Sequence, residues 1–150
     1  MGNFIKDKNE SDILTKDFVN PILEKHKAIF VRNSNSKDRK ERLQWDCMYK
    51  TPNGIITIEH KFDRQTKVTR NIFIEFEDRG KPSGISTSTA EYYTYLVLDD
   101  EPKLYITPTS VLKEKIVPLH TTIVKGGDNY LAKGYLINID KCKEFLTCMN

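Results

Sequence analysis

Between Gln44 and Phe62 the chain reads as a β-hairpin carrying charges that packing alone does not call for. Gln44-Trp45-Asp46 leads into a short extended run, Thr51-Pro52-Asn53-Gly54 is a turn signal, and Ile55-Ile56-Thr57-Ile58-Glu59-His60-Lys61-Phe62 forms the return strand. Side chains alternate along a strand, so Ile56, Ile58 and Phe62 share one face while Thr57, Glu59 and Lys61 share the other. His60 falls on the apolar face, where a half-buried histidine with its ring nitrogens satisfied is expected.

Whether Asp46 joins Glu59 depends on the turn. A two- or four-residue loop centred on Pro52-Asn53 sets Asp46 directly opposite Glu59. A three-residue loop with Gly54 in the left-handed conformation, which the residue types favour, sets it opposite His60 and on the wrong face unless a bulge restores the parity. Both registers are compatible with the sequence.

The remaining chain supplies a mixed α/β pattern. Apolar residues at three-to-four spacing over 13–29 predict an amphipathic helix, with Asp17 as N-cap if Pro21 lies in its first turn, or with a kink at Pro21 if it starts at Ser11. Residues 71–77 alternate strictly, with Ile72, Ile74 and Phe76 on one side and Phe73, Glu75 and Glu77 on the other. The Ser88–Glu91 spacing suits a capping box opening a short helix into a strand over 93–98, and 103–106 returns as its hairpin partner. Thr107 to Ser110 opens a helix over 111–116, Gly126 to Asn129 is a loop, 135–139 is a late strand, and Asp140 caps a final helix ending at Leu146. About five strands flanked by helices predict an α/β fold with a mixed sheet.

At 150 residues and 17.4 kDa the chain fits one domain with a continuous core. A hydrophobic fraction of 38% and a charged fraction of 30% argue against wholesale disorder. No apolar run reaches the roughly 20 residues of a membrane span, so no membrane partner is expected. The N-terminus has no apolar signal region, and Lys6 stands where a myristoylation signal needs Ser or Thr. Cys47, Cys142 and Cys148 form no metal-type spacing and read as reduced thiols of an intracellular, cytoplasmic protein. The net charge of +3 permits a nucleic-acid partner if the basic residues gather. Residues 32–42 offer such a gathering, a polar loop with Arg32, Lys37, Arg39, Lys40 and Arg42 against two acids. A solvated connector accounts for it equally well.

Two carboxylates converging beside a lysine would suit Mg²⁺ or Mn²⁺, which prefer hard oxygen ligands and keep water in their shell. Such an ion polarises a phosphoryl oxygen and acidifies a bound water, the chemistry of phosphodiester hydrolysis. The plainer account is a cross-strand salt bridge on a solvated face, contributing about 0–1 kcal/mol. Glu75 would stand beside Glu59 if the return strand and residues 71–77 pair symmetrically across their connector, and crowded acids favour a cation. Ser83 and Ser86, near a helix N-terminus, are candidate phosphate contacts.

Asp46 followed by Glu59-His60-Lys61 after a hairpin resembles the signature of the PD-(D/E)xK nuclease superfamily, with its restriction-endonuclease-like fold. Holliday-junction resolvases and small phage-type endonucleases belong to it. Residues 71–95, with Ile74-Glu75-Phe76-Glu77, Pro82-Ser83-Gly84-Ile85 and Ala90-Glu91-Tyr92-Tyr93, are similar to the strand and crossover helix of the small phage-type members. Residues 104–112 are similar to their next strand and helix. Trp45 stands in place of the proline that names the motif. The resemblance implies a single nuclease domain over 1–150 that cuts DNA, branched DNA included, as a homodimer. It also implies metal ligation by Asp46, Glu59 and the His60 carbonyl, action of Lys61 on the attacking water, and a further acid from the first helix, for which Glu24 is the candidate.

Overall fold

The apolar spacing after residue 10 does build a helix, spanning residues 10–25, and it passes Pro21 without a break. Ser11 and Asp17 both lie inside it, so neither is its cap. A π-turn over Thr15–Val19 widens the ladder just before the α-helical segment Asn20–Lys25, in which Pro21 occupies the first turn. The proline has no N–H to continue the ladder within this unbroken helix, and the wider π-turn just before it is where the backbone accommodates the gap. Val19 and Leu23 are the buried side chains of this helix.

The structure, a computed structural model, describes residues 10–35, 37–62, 65–119, 122–126 and 130–150, with Arg39 and Leu43 described in their backbone only. The N-terminal arm over 1–9, Asp63 and Arg64 of the connector after the hairpin, and residues 127–129 of the expected loop lie outside the described residues. After the first helix come strands β1 (Ile29–Asn33), β2 (Cys47–Thr51), β3 (Gly54–Phe62), β4 (Asn71–Asp78) and β5 (Lys81–Pro82). They are followed by β6 (Tyr92–Val97), β7 (Lys103–Pro108), β8 (Ile123–Gly126), β9 (Ala132–Asn138) and β10 (Thr147–Cys148).

The architecture is the expected mixed α/β type, with its strands divided between two sheets. One is six-stranded in the order β1-β2-β3-β6-β7-β10, in which only β3 and β6 run parallel; the other is antiparallel in the order β5-β4-β9-β8. The surplus over about five strands comes largely from two- to four-residue pieces such as β5, β8 and β10, too short to carry an alternating pattern.

Local readings fail where a tertiary partner outbids the local one. Ser88 and Glu91 build no helix, because the Ser88 hydroxyl donates to the Gln44 carbonyl (3.1 Å), as do the Thr89 and Ala90 N–H groups (2.9 and 3.1 Å). A 3₁₀ turn, Gly84–Ser86, directly precedes them, and the crossover from β3 to β6 is made through the second sheet. The helix expected over 111–116 extends over 109–119, irregularly, through a π segment Leu112–Ile116. Asn138 rather than Asp140 caps the last helical stretch, accepting the Asp140 and Lys141 N–H groups at 3.0 and 3.3 Å. The supposed loop over 32–42 contains a helix, Arg39–Gln44, capped by Asp38.

Burial on the two faces of the six-stranded sheet differs in origin. Ile58, Cys47, Tyr49, Leu96 and Leu104 meet the first helix. Tyr93, Tyr95, Val97 and Tyr105 meet Ile72 and Ile74 of β4, Leu112 and Ile116 of the 109–119 helix, and Ile137 of β9. The face that carries Glu59 and Lys61 is thus the one turned toward the second sheet.

Candidate active site

The hairpin takes the two-residue connection. Thr51 pairs with Gly54 and Cys47 with Ile58, where the ladder ends, so Asp46 lies just beyond its last pair, next to Glu59 and His60 of the return strand. Gly54 absorbs the turn at φ +125°, and the Thr51 hydroxyl braces it by accepting from Asn53 N–H (3.2 Å) and donating to the Gly54 carbonyl (2.9 Å). Asp46 is pinned by its backbone: its N–H donates to the Ile58 carbonyl (3.2 Å), and its carbonyl accepts from Ser34 N–H (2.6 Å). Its Oδ2 accepts from the His60 N–H at 2.9 Å, replacing a backbone acceptor at the point where β2 leaves the ladder. On β3, Lys61 Nζ lies 3.3 Å from Glu59 Oε1, with the Glu59 side chain 13% exposed and that of Lys61 35%.

The charges act strongly on one another because the group is largely out of water. Burial, then the neighbouring Asp46, pushes the Glu59 carboxyl up to about 8, although Lys61 pulls the other way. Burial also lifts Asp46 above the ordinary carboxylate range, against Lys61 and the His60 N–H. Burial would lower the Lys61 ammonium, but Glu59 and Asp46 hold it above its usual value. The two carboxyls act on one another, and burial together with their mutual repulsion opposes ionisation of both at once.

His60 behaves as its face predicted. Its ring is buried, with Nε2 2.7 Å from Tyr49 Oη and Nδ1 2.5 Å from Thr94 Oγ1. The Tyr49 hydroxyl donates to Asn20 Oδ1 (2.7 Å), so it accepts from Nε2–H, and Nδ1 accepts the Thr94 hydrogen. Burial pushes the imidazole down to about 3, leaving it neutral. The chain Asn20–Tyr49–His60–Thr94 ties the first helix to β2, β3 and β6 directly behind the carboxylates. His60→Ala is therefore expected to cost about 3 kcal/mol of stability, through a cavity and an orphaned Thr94 hydroxyl. Urea denaturation reads it, and an unchanged midpoint would show the relay to be dispensable.

Glu75 reaches the site by a route other than the one expected. β4 does not pair with β3; Glu75 pairs with Gly134 of β9 in the second sheet. It approaches from across the intersheet space, where it lines a cavity of about 220 Å³ with Lys61, Phe73 and Tyr95, and its charge acts on Lys61. Ser83, itself buried, donates its hydroxyl to Glu75 Oε2 (2.9 Å). Gly84, at φ +53°, is where the chain crosses the Glu75 backbone, and a Cβ there would lie 2.2 Å from the Glu75 carbonyl oxygen. Ser83 thus orients an acid, and the Ser86 hydroxyl donates to the Phe76 carbonyl (2.8 Å).

From the first helix it is Asp12, not Glu24, that faces the site. Asp12 lines a cavity of about 400 Å³ with Thr15, Asn33, Arg42 and Asp46, and its charge acts on Asp46. Glu24 is exposed twelve residues further on, about 18 Å along the helix axis at 1.5 Å per residue. One helix cannot bring both acids to the same point. Nothing in the apolar pattern distinguished them, because Asp12 sits at the edge of the periodic stretch.

The basic residues divide. Arg32 Nη1 pairs with Glu41 (2.6 Å), and its guanidinium stacks 4.9 Å from the Trp45 ring centroid. Lys37 and Lys40 are exposed, Arg42 lines the Asp46 cavity, and the side chain of Arg39 lies outside the described residues.

No protein-family model, no curated protein and no solved structure matches the chain. Among the described residues, no three His, Cys, Asp or Glu side chains come together as a metal cluster. A hard divalent ion held by one or two carboxylates and completed by water needs no such cluster. The Asp46–Glu59 pair fits that requirement, since burial and mutual repulsion oppose ionisation of both acids and a cation would relieve them. No helix among the described residues is long and apolar enough to cross a membrane.

Proposed function

We propose that this chain is a divalent-metal-dependent endonuclease that hydrolyses DNA phosphodiester bonds. The observation that carries the reading is the contact of the Asp46 and Glu59 carboxyls across β2 and β3, with the Lys61 ammonium 3.3 Å from Glu59. Asp46 and Glu59 would hold Mg²⁺, or Mn²⁺ in its place, with Asp12 or Glu75 as further acids and the His60 carbonyl as a neutral ligand. The bound ion would supply Lewis-acid polarisation of the phosphoryl oxygen and an acidified water. Lys61 orients the attacking water and offsets charge developing on the phosphorane. His60, from behind the strand, keeps Glu59 and Lys61 in register. Arg42, which lines the Asp46 cavity, would contact a phosphate in this reading, and exposed Lys37 and Lys40 would extend the basic surface.

The resemblance to resolvase-like nucleases supports a homodimer acting on branched DNA in an intracellular setting. The experiment is cleavage of labelled junction, duplex, flap and single-stranded DNA, with and without Mg²⁺ or Mn²⁺. Metal-dependent cutting of at least one DNA form is expected, and inertness on every form with both metals would sink the reading.

A second reading is a non-catalytic nucleic-acid-binding module on the same fold. It is favoured by the lack of a third acid in direct contact with the pair among the described residues. Binding would then fall with salt, stay indifferent to Mg²⁺ and survive neutralisation of Asp46.

A further inference from the structure

Tyr93 stands beside Glu59 in the parallel ladder between β3 and β6, one step before Tyr95 beside Lys61. Cross-strand partners share a face, so the phenol belongs to the same row as Glu59 and Lys61. Tyr93 is 1% exposed, and its hydroxyl makes no hydrogen bond among the described residues. The Ser88 hydroxyl lies near enough to favour the ionised phenol, but its own bonds run to the Gln44 carbonyl (3.1 Å) and from the Ala90 N–H (3.3 Å).

The ring of Tyr93 is accounted for by the core it shares with Tyr95, Ile85 and Leu112, and a phenylalanine would pack there equally well. The hydroxyl needs a separate reason, because a buried phenol without a partner is costly. Its electrostatic neighbours are Lys61, Glu59 and Asp46, which places it in the field of all three site residues. Burial pushes the phenol up to about 12, so it remains a proton donor throughout the neutral range.

We propose that Tyr93 is a positioning residue of the acidic centre, its hydroxyl being the donor that holds the Glu59 carboxylate in ligating orientation when a divalent cation is bound. Ligating carboxylates are themselves hydrogen-bonded, and losing that support weakens metal binding by about 10–100-fold. The inference rests on the metal-centre reading above.

The test is Tyr93→Phe, followed by Mn²⁺ titration calorimetry on the intact protein, which needs no DNA. The metal-free variant is expected to melt no lower than wild type, because it loses only an unpartnered buried polar atom. Its Mn²⁺ affinity is expected to fall about 10–100-fold. Combined with Glu59→Gln it should bring no further loss, since Tyr93 acts through Glu59. In cleavage assays the Mg²⁺ activation curve should move to higher concentration, with the rate restored at saturation. Unchanged Mn²⁺ affinity, a loss fully additive with Glu59→Gln, or a variant that does not fold would each overturn the role of Tyr93. Wild-type protein that binds neither Mn²⁺ nor Mg²⁺ would remove the metal centre itself, and this role with it.

Discussion

Asp46→Asn is expected to lower Mg²⁺-dependent DNA cleavage on the order of 10³-fold while the protein stays folded. The replacement is nearly isosteric, and an amide oxygen can still accept the His60 N–H that Asp46 Oδ2 now accepts at 2.9 Å. What disappears is one of two negative charges available to a cation at the β2–β3 contact. The fold should tolerate this well, because the charged form of Asp46 is opposed by burial, and a neutral amide carries no such penalty. Lys61→Met should produce a loss of similar size by a different route, leaving metal affinity in place because the lysine is not a ligand. Metal titration of the two variants, set beside their cleavage rates, separates binding from the handling of the attacking water. Cleavage by Asp46→Asn at the wild-type rate would place the chemistry elsewhere on the molecule.

Glu59→Gln is expected to stabilise the metal-free protein at alkaline pH. The Glu59 carboxyl is pushed up to about 8 in the fold by burial and by Asp46, against about 4.5 in an unfolded chain. Between those values the native state holds the extra proton, so wild-type stability falls as pH rises through the window and levels off above it. Glutamine has nothing to ionise and escapes the fall. The variant should exceed wild type by on the order of 2–3 kcal/mol at pH 9 and lose most of that advantage at pH 5. Urea denaturation at the two pH values in the presence of a chelator measures it. Mg²⁺ should close the gap at pH 9 by stabilising wild type alone. A difference between variant and wild type that is the same at both pH values would mean that Glu59 is not held protonated by its surroundings.

These two side chains also mark how far the sequence could be read. Glu59 and Lys61 were assignable to one face because a strand repeats every two residues, whatever surrounds it. His60 was readable as a satisfied core residue for the same reason, although its partners Tyr49 and Thr94, and Asn20 beyond Tyr49, come from three other elements. Asp46 was not assignable, because its face depends on a one-residue difference in the turn. The residue types, with Gly54 suited to a positive φ, favoured the three-residue loop; the structure instead closes on the Thr51–Gly54 pair with Gly54 at φ +125°, leaving a two-residue connection.

Longer-range features were out of reach on physical grounds. Glu75 was placed beside Glu59 by assuming that consecutive strands pair. The chain instead sends β4 into a second sheet and inserts β6 next to β3, so the acid arrives from across the intersheet space. Glu24 and Asp12 were equivalent as helical acids until the helix was docked. The Tyr93 hydroxyl was indistinguishable from any buried aromatic until the parallel ladder set it against Glu59.

By itself, then, the sequence determined the amphipathic first helix, the charged hairpin and the α/β class, because each follows from periodicities of 3.6 and 2.0 residues that local backbone geometry imposes. The tertiary structure alone decided which acids meet. Which of Asp46, Glu59, Asp12, Glu75 and Tyr93 come near one another depends on register, on sheet order and on the docking of one helix. Those are set by burying two separate apolar faces at once, and no local window of the chain contains that information.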